Sequence, residues 1–490
     1  MRSKLLTLAV TLTLAAAMAA CRPGPEGAVK VVVIGGEPAL RDPAAGPLSG
    51  PDAVLLSNVA QGLVRFDASG NIVGGLAERW NVSDDGMSYI FRLAAGEWPD
   101  GGKITAEQVA RALKRQIGPR SRNPAKDALG AIDDIVAMTD RVIEIRLVAP
   151  RPNLLPLLAQ PDMGIIRGGY GTGPFSFSPA TEPGGELRLR SEVVSNDGDV
   201  TRREEVLLSG TKAEQAVRTF AAGKADLVLG GTFADLPYAR AVRLPRNSLR
   251  FDPASGLFGL VPTSADGPLN ERDVRRLLSE AIDRDALVAS FNVPGLTARA
   301  SVLEPGLDGV SSPAPPPWFG ISAADRRPAL LAEAKRLFGS QAKPTIRIFL
   351  GDGPGADILF GRLSSDWGVL GFTVARAKTA GAADLKLVDA VAPSTSPAWF
   401  LRSFRCDAVP LCNADIDQLL GAARVAPVPA QRYALLSDAA GRIDDAQLFI
   451  PLAAPVRWSL VGGRIPGFAG NRFARHTLTD LEQKPDREGS

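Results

Sequence analysis

Few residues of this chain could make or break bonds, and their surroundings argue against each of them. The sequence holds one histidine, His476, set between Arg475 and Thr477. A hydrolase needs a nucleophile activated by a base. No Gly-x-Ser-x-Gly elbow is present, and His476 reads as a surface residue. Ser340-Gln341-Ala342-Lys343 fits a Ser-x-x-Lys pattern, whose chemistry wants both side chains on one helical turn. Gly339 precedes it and Pro344 follows, so it reads as a linker from helix to strand. Gly351-Asp352-Gly353-Pro354-Gly355-Ala356 fits the Gly-x-Gly-x-x-Ala of a dinucleotide-binding turn. Pro354 interrupts that loop, and no acid ends the following strand near Ala375-Arg376, so nucleotide binding is set aside. No spaced His/Cys/Asp cluster suggests a protein-built metal site. The chain reads as a non-enzyme without a cofactor.

The elements around these residues begin with an address. Arg2 and Lys4 precede an apolar run from Leu5 to Ala20, too short and Ala-rich for a membrane span, with the shape of a secretory signal. Met18-Ala19-Ala20-Cys21 resembles a lipobox, in which the cysteine is acylated and becomes the new N-terminus; a plain cleaved signal is the alternative. Several acyl chains anchor stably where one does not. In an exported protein, the remaining pair, Cys406 and Cys412, reads as a disulfide. Closing so short a loop contributes about 2 kcal/mol. Two sulfurs with no histidine nearby make a poor metal site.

Removing residues 1–20 takes two of the 56 basic residues and none of the 53 acidic ones, leaving a formal net charge of +1. That balance gives no reason to invoke nucleic acid. The remaining length suits roughly three domains of ~150 residues. A hydrophobic content of 45% supports real cores, and the 6% aromatic content argues against a heavily aromatic sugar groove.

Residues 22–28 form a Pro/Gly-rich tether. Val29–Ile34 reads as a buried strand. A helix is expected from about Asp52 to Leu63. Asp67-Ala68-Ser69-Gly70-Asn71 and Asp84-Asp85-Gly86 are hairpin turns. Thr105 and Gln108 form a capping box for a helix carrying Val109, Leu113 and Ile117. A half-buried strand is expected at 142–147, a strand after Gly171-Thr172-Gly173-Pro174, a helix at 211–222 and a strand at 225–229. Asn270 is expected to cap a helix buried through Val274, Leu277, Leu278, Ala281 and Ile282. The five prolines of 305–317 mark a surface excursion. Strand 346–350, helix 356–369 and strand 372–375 make a βαβ unit. A helix at 430–444 and strands within 448–461 close a mixed α/β chain.

Ordered signatures then accumulate. Gln61-Gly62-Leu63-Val64-Arg65-Phe66-Asp67 is followed by Leu76-Ala77-Glu78-Arg79-Trp80, Asp84-Asp85-Gly86, Tyr89-Ile90-Phe91-Arg92-Leu93, and Trp98-Pro99-Asp100-Gly101. Thr105-Ala106-Glu107-Gln108-Val109, Gly171-Thr172-Gly173-Pro174-Phe175 and Phe220-Ala221-Ala222-Gly223-Lys224-Ala225-Asp226 come next. Asp273-Val274-Arg275, Ala281-Ile282-Asp283-Arg284, Ile450-Pro451-Leu452 and Pro466-Gly467-Phe468 complete the series. Together they resemble the bacterial extracellular solute-binding proteins of family 5, the oligopeptide, dipeptide and nickel type. These are turn and packing motifs, so they speak to fold before ligand. The sequence departs from the family at Leu260-Val261-Pro262, and at Val388-Asp389-Ala390-Val391-Ala392-Pro393, where only the first of two usual acids stands.

The resemblance implies an α/β fold of the type II periplasmic binding protein kind, two lobes around a cleft with an extra β-rich subdomain inserted in the first lobe. The signal is 1–20 and the tether 21–28. The first lobe is expected at 29–55, 170–265 and 457–490, the insertion at 56–169, and the second lobe at 266–456. It further implies a periplasmic, lipid-anchored, monomeric receptor that captures a small peptide or similar solute and serves an ABC permease and its ATPase. A ligand drives closure only by its differential affinity for the closed form. Peptide backbones pair with strand edges in such clefts. By resemblance Asp389 holds the ligand's amine beside the backbone of Leu387, and Glu37 and Ala39 face the ligand from the other lobe. The departures leave room for a non-peptide solute (a chelated metal, an opine or a sugar), or for a scaffold or chaperone-like lipoprotein that keeps the fold without transport.

Overall fold

A computed structural model describes residues 27–178, 184–194 and 200–483; the expected signal, Cys21 and most of the tether lie outside them. The chain opens with β1 (Val29–Ile34). An insertion follows, with β2 (Val64–Phe66), β3 (Ile72–Gly74), β4 (Ala77–Val82), β5 (Ser88–Leu93), β6 (Ile132–Thr139) and β7 (Val142–Leu147). The chain returns through β8 (Ser176–Ser178), β9 (Leu187–Val194), β10 (Val200–Thr211), β11 (Leu227–Thr232) and β12 (Leu249–Phe251). It then passes through β13 (Gly256–Pro262), β14 (Thr345–Phe349), β15 (Thr373–Arg376), β16 (Leu385–Val391) and β17 (Ile450–Pro451), and comes back as β18 (Arg457–Val461).

Two mixed sheets form the two lobes. The first has seven strands in the order β12-β18-β11-β1-β10-β9-β8, and the second five in the order β15-β14-β16-β13-β17. β1 runs parallel to both neighbours, β10 and β11. Apart from the exposed Lys30 it is apolar and largely buried, because such a central strand is covered on both faces. β13 is buried along its whole length for the same reason. The chain crosses between the sheets twice, at 252–255 and at 452–456.

The insertion has its own core. β4, β5, β7 and β6 form a four-stranded sheet, and Tyr89, Phe91, Ile143 and Ile145 alternate inward onto the helix Ala106–Ile117. Thr105 and Gln108 cap that helix reciprocally, as expected. β2 and β3 pair across the turn at 67–71, and β14 and β15 make the parallel βαβ unit with helix Pro354–Gly368.

The structure differs from the sequence reading in several places. The first helix is Gly50–Val59, because Ala60 is extended and Gln61 bridges to Ile165. Asn270 does not cap its helix; it ends a short 3-10 turn, and the helix Arg272–Ala281 starts after Glu271. β13, expected to close the first lobe, is hydrogen-bonded into the second sheet. The long β9–β10 hairpin and the helix Ala414–Val425 were not anticipated, and the helix Ala323–Phe338 was expected only as the element that the linker at Ser340–Lys343 follows, without its extent. The glycine-rich loop at 351–356 has a packing reason. A Cβ on Gly355 would collide with the Phe233 carbonyl oxygen, and the Gly355 amide bonds the Ala234 carbonyl at 2.9 Å. Its glycines let backbone of the second lobe touch backbone of the first. Cys406 and Cys412 are disulfide-bonded. Among the described residues no helix is long and apolar enough to cross a membrane.

Candidate functional site

A cavity of about 330 Å³ opens where the first sheet, the insertion, the second sheet and the C-terminal segment meet. Val33 of β1 and Leu229 and Gly230 of β11 form one wall, near the C-terminal ends of parallel strands, where open α/β sheets leave a crevice. Gly230 has φ of +87°, which lets β11 kink at a register shift there. Gln160 comes from the insertion, Asp389 and Val391 from β16, Arg457 from β18, and Arg475 and His476 from the C-terminal segment.

The charges are uneven. Asp389 Oδ1 accepts from Arg457 Nη1 at 2.8 Å, and the Asp389 carbonyl from Arg457 Nη2 at 3.2 Å. Their side chains are 15% and 16% exposed. Asp389 Oδ2 has no donor among the described residues. Burial raises the Asp389 pKa, Arg457 only partly offsets that by charge and hydrogen bond, and Asp235 raises it further. Arg475 Nε bonds Gln160 Oε1 at 3.2 Å and Arg65 Nε bonds the Gly74 carbonyl at 3.2 Å. Burial lowers the pKa of both. One carboxylate and three guanidiniums therefore line one small space.

β16 also offers backbone. Its whole length pairs with β13, while β14 covers the other edge only at Leu385 and Lys386. Among the described residues, the edge from Leu387 to Val391 carries no strand partner.

His476 is a correction. Its side chain is 8% exposed, it lies 3.2 Å from the buried carboxylate of Asp252, and its ring packs at a tilt against Phe468 with centres 4.7 Å apart. The buried Asp252 needs a partner, and that need takes the ring out of the surface. The hydroxyls lining the cavity are engaged elsewhere, Ser57 with the Val54 carbonyl and Thr477 with Thr479. Ser340 and Lys343 sit in the linker after helix Ala323–Phe338, as expected.

The sequence-predicted site residues separate into two groups. Asp389 lines the cavity, and Leu387 is in the same strand with its side chain packed on the core. Glu37 is exposed, the Ala39 amide bonds Asp52 at 2.8 Å, and neither lines the cavity. Arg65, Arg457, Arg475 and Gln160 were missed. The one available signal was Arg457, a lone charge between the buried Val456 and Trp458. No group of three or more His, Cys, Asp or Glu among the described residues could hold a metal ion.

The family described as "Bacterial extracellular solute-binding proteins, family 5 Middle" matches residues 71–382, more than half of the chain. The Probable deoxycholate-binding periplasmic protein YgiS of Escherichia coli is 30% identical over 129 residues, which cover 23% of this chain and 24% of that protein. The Probable di/tripeptide-binding protein 5 of Pseudomonas aeruginosa is 24% identical over 86% of this chain and 89% of its own. Haemophilus influenzae OppA, solved in complex with RPPGFSPFR, superposes with a TM-score of 0.77 at 16% identity, covering 93% of this chain and 98% of that one.

Proposed function

This chain belongs to the bacterial extracellular solute-binding proteins, family 5, and from that premise we propose that it captures a short peptide between its two lobes and delivers it to an ABC permease. The observation that carries this reading is the charge set of the cavity. A short peptide has an ammonium at one end and a carboxylate at the other. Asp389 Oδ2, free of donors among the described residues, suits the ammonium, and the Arg475 and Arg65 guanidiniums suit the carboxylate. The unpaired edge of β16 suits the peptide backbone between them. A volume near 330 Å³ sits at the small end of ligand pockets, ~300–1,000 Å³, and favours a di- or tripeptide.

The relative from Pseudomonas aeruginosa is named for di- and tripeptides, and the solved relative from Haemophilus influenzae holds a peptide. The protein works by binding, without turnover, as a periplasmic monomer held to the membrane through acylated Cys21. The excess of guanidinium groups supports a second reading, a solute with net negative charge; a relative is solved in complex with agropinic acid.

Intrinsic tryptophan fluorescence against pools of di- and tripeptides tests the proposal. Saturable changes with free-amine peptides are expected. Silence toward every peptide pool, with a response to opine-like acids, would replace the first reading by the second.

A further inference from the structure

A second cavity, of about 260 Å³, lies between the insertion and the second lobe and shares no lining residue with the Asp389 cavity. Five arginines line it, Arg151 from the insertion and Arg402, Arg405, Arg424 and Arg432 from the second lobe. Only two carboxylates join them, Asp127 and Asp417. Arg405 pairs with Asp407 at 2.5 Å, and Asp417 accepts from the Cys406 amide at 3.2 Å. Arg424 donates to the Gly130 carbonyl at 2.6 Å, and Arg151 to the Pro150 carbonyl at 2.7 Å and to the Arg424 carbonyl.

Arg402 and Arg432 stand apart. Arg432 is 6% exposed, its Nε is buried without an acceptor among the described residues, and its guanidinium lies 5.7 Å from the Tyr433 ring. Arg402 Nη1 is likewise buried without an acceptor among them. Buried guanidiniums are normally bonded to carboxylates or carbonyls. A cluster of like charges in a partly apolar space is unfavourable unless an anion joins it. Arg151 feels this repulsion: burial, then the charges of Arg432 and Arg424, push its pKa down to about 10. Asn153, Ser394 and Ser396 add polar groups, and the rest of the wall is apolar, including Leu129, Leu154, Leu157 and Trp399.

We propose that this cavity is a binding site for a small organic oxyanion, whose carboxylate or phosphate oxygens accept from Arg402 and Arg432 and whose apolar body rests on Leu154, Leu157 and Trp399. The planar guanidinium fork matches both kinds of oxyanion. Because Arg151 and the leucines belong to the insertion, and Arg402 and Arg432 to the second lobe, the bound anion ties the two bodies together. The proposal stands on this cavity alone and does not depend on which solute fills the first one.

The test is thermal unfolding of the full mature chain with benzoate, phenyl phosphate, citrate or inorganic phosphate, each against sodium chloride at matched ionic strength. At a hundredfold excess over Kd the melting temperature should rise by roughly 2–5 °C. Arg432→Met and Arg402→Gln should each abolish that rise while leaving affinity for peptides at the first cavity within about twofold. A response that requires the ring supports the organic oxyanion; a response to inorganic phosphate equal to that of phenyl phosphate overturns it in favour of a free phosphate-type ion. No rise with any of the four anions, or a rise kept in both variants, overturns the proposal. Should the variants fail to fold, crystals of the wild type grown with 4-bromobenzoate decide it: a bromine anomalous peak beside Trp399 supports the site, and its absence there overturns it.

Discussion

The two lobes meet along two seams of opposite character. Near the crossings the seam is apolar. Phe233 of the first lobe packs edge-on against Phe258 and Phe291 of the second, with ring centres at 4.9 and 5.8 Å, inside one core that runs through both sheets. At the insertion the seam is polar. Gln160 Nε2 donates to the Pro393 carbonyl at 3.0 Å, and Asn153 bonds Asp308 and, at 3.1 Å, Thr395. Parting the apolar seam would expose several buried rings at about 1.5–3 kcal/mol each. Parting the polar seam exchanges protein hydrogen bonds for water, at about 1 kcal/mol for a neutral bond such as that of Gln160 and ~1.5–3 kcal/mol for the Asn153 bond to the Asp308 carboxylate, with no ring exposed. On the proposed function, opening would pivot on the aromatic seam and separate the insertion from the second lobe, on either side of the cavity that holds Asp389.

The contrast can be broken by mutation, starting with the largest effect. Phe258→Ala should destabilise the protein by about 3–5 kcal/mol in chemical denaturation, because a ring 1% exposed leaves a void between the lobes. A pivot that tolerated this change with under ~1 kcal/mol would not be a packed seam.

Asp444 gives the next effect. Its pKa is pushed up to about 7, chiefly by burial and further by Asp445, with the Val302 amide at 2.9 Å and Ser301 offsetting only part. The folded state holds the proton more tightly than the unfolded chain, whose carboxyl titrates near ~3.9. Stability is thus lost as pH rises from about 4 to 7, by up to ~4 kcal/mol. Asp444→Asn should flatten that slope and raise stability at neutral pH; an unchanged slope assigns it to other groups. Reducing the Cys406–Cys412 bond should lower stability by about 2 kcal/mol, read as a modest fall in melting temperature. The smallest effect belongs to the polar seam. Asn153→Ala should weaken ligand affinity by about fivefold through the closed state, with little change in global stability. A large loss of stability from Asn153→Ala would erase the difference between the seams.

Local chemistry was legible in the sequence where one segment decides its own shape. The capping box at Thr105 and Gln108, the turn at 67–71 and the βαβ unit after Pro344 are of this kind. The extent of helix Ala323–Phe338 escaped because Pro328 lies inside its first turns and breaks the pattern. The β9–β10 hairpin escaped despite the strict Leu187-Arg188-Leu189-Arg190 alternation. The site was legible at Asp389 alone, and only through family resemblance. Arg65, Arg457 and Arg475 are far apart in the chain, and only the two crossings bring them to one cavity. His476 misled because nothing around it in sequence announces Asp252, 224 residues away, as its partner.

The central claim is that Asp389 holds the amine of a solute trapped between the lobes. Calorimetric titration of one di- or tripeptide that binds, as the free amine and as its N-acetyl form, into the wild type and Asp389→Asn measures it directly. The amide introduced by that substitution keeps an oxygen for Arg457, so the fold should hold. Loss of the ammonium or loss of the carboxylate should each weaken binding at least tenfold, and the two together should be no worse than either alone. Equal affinity for all four combinations, or losses that simply add, would contradict the claim.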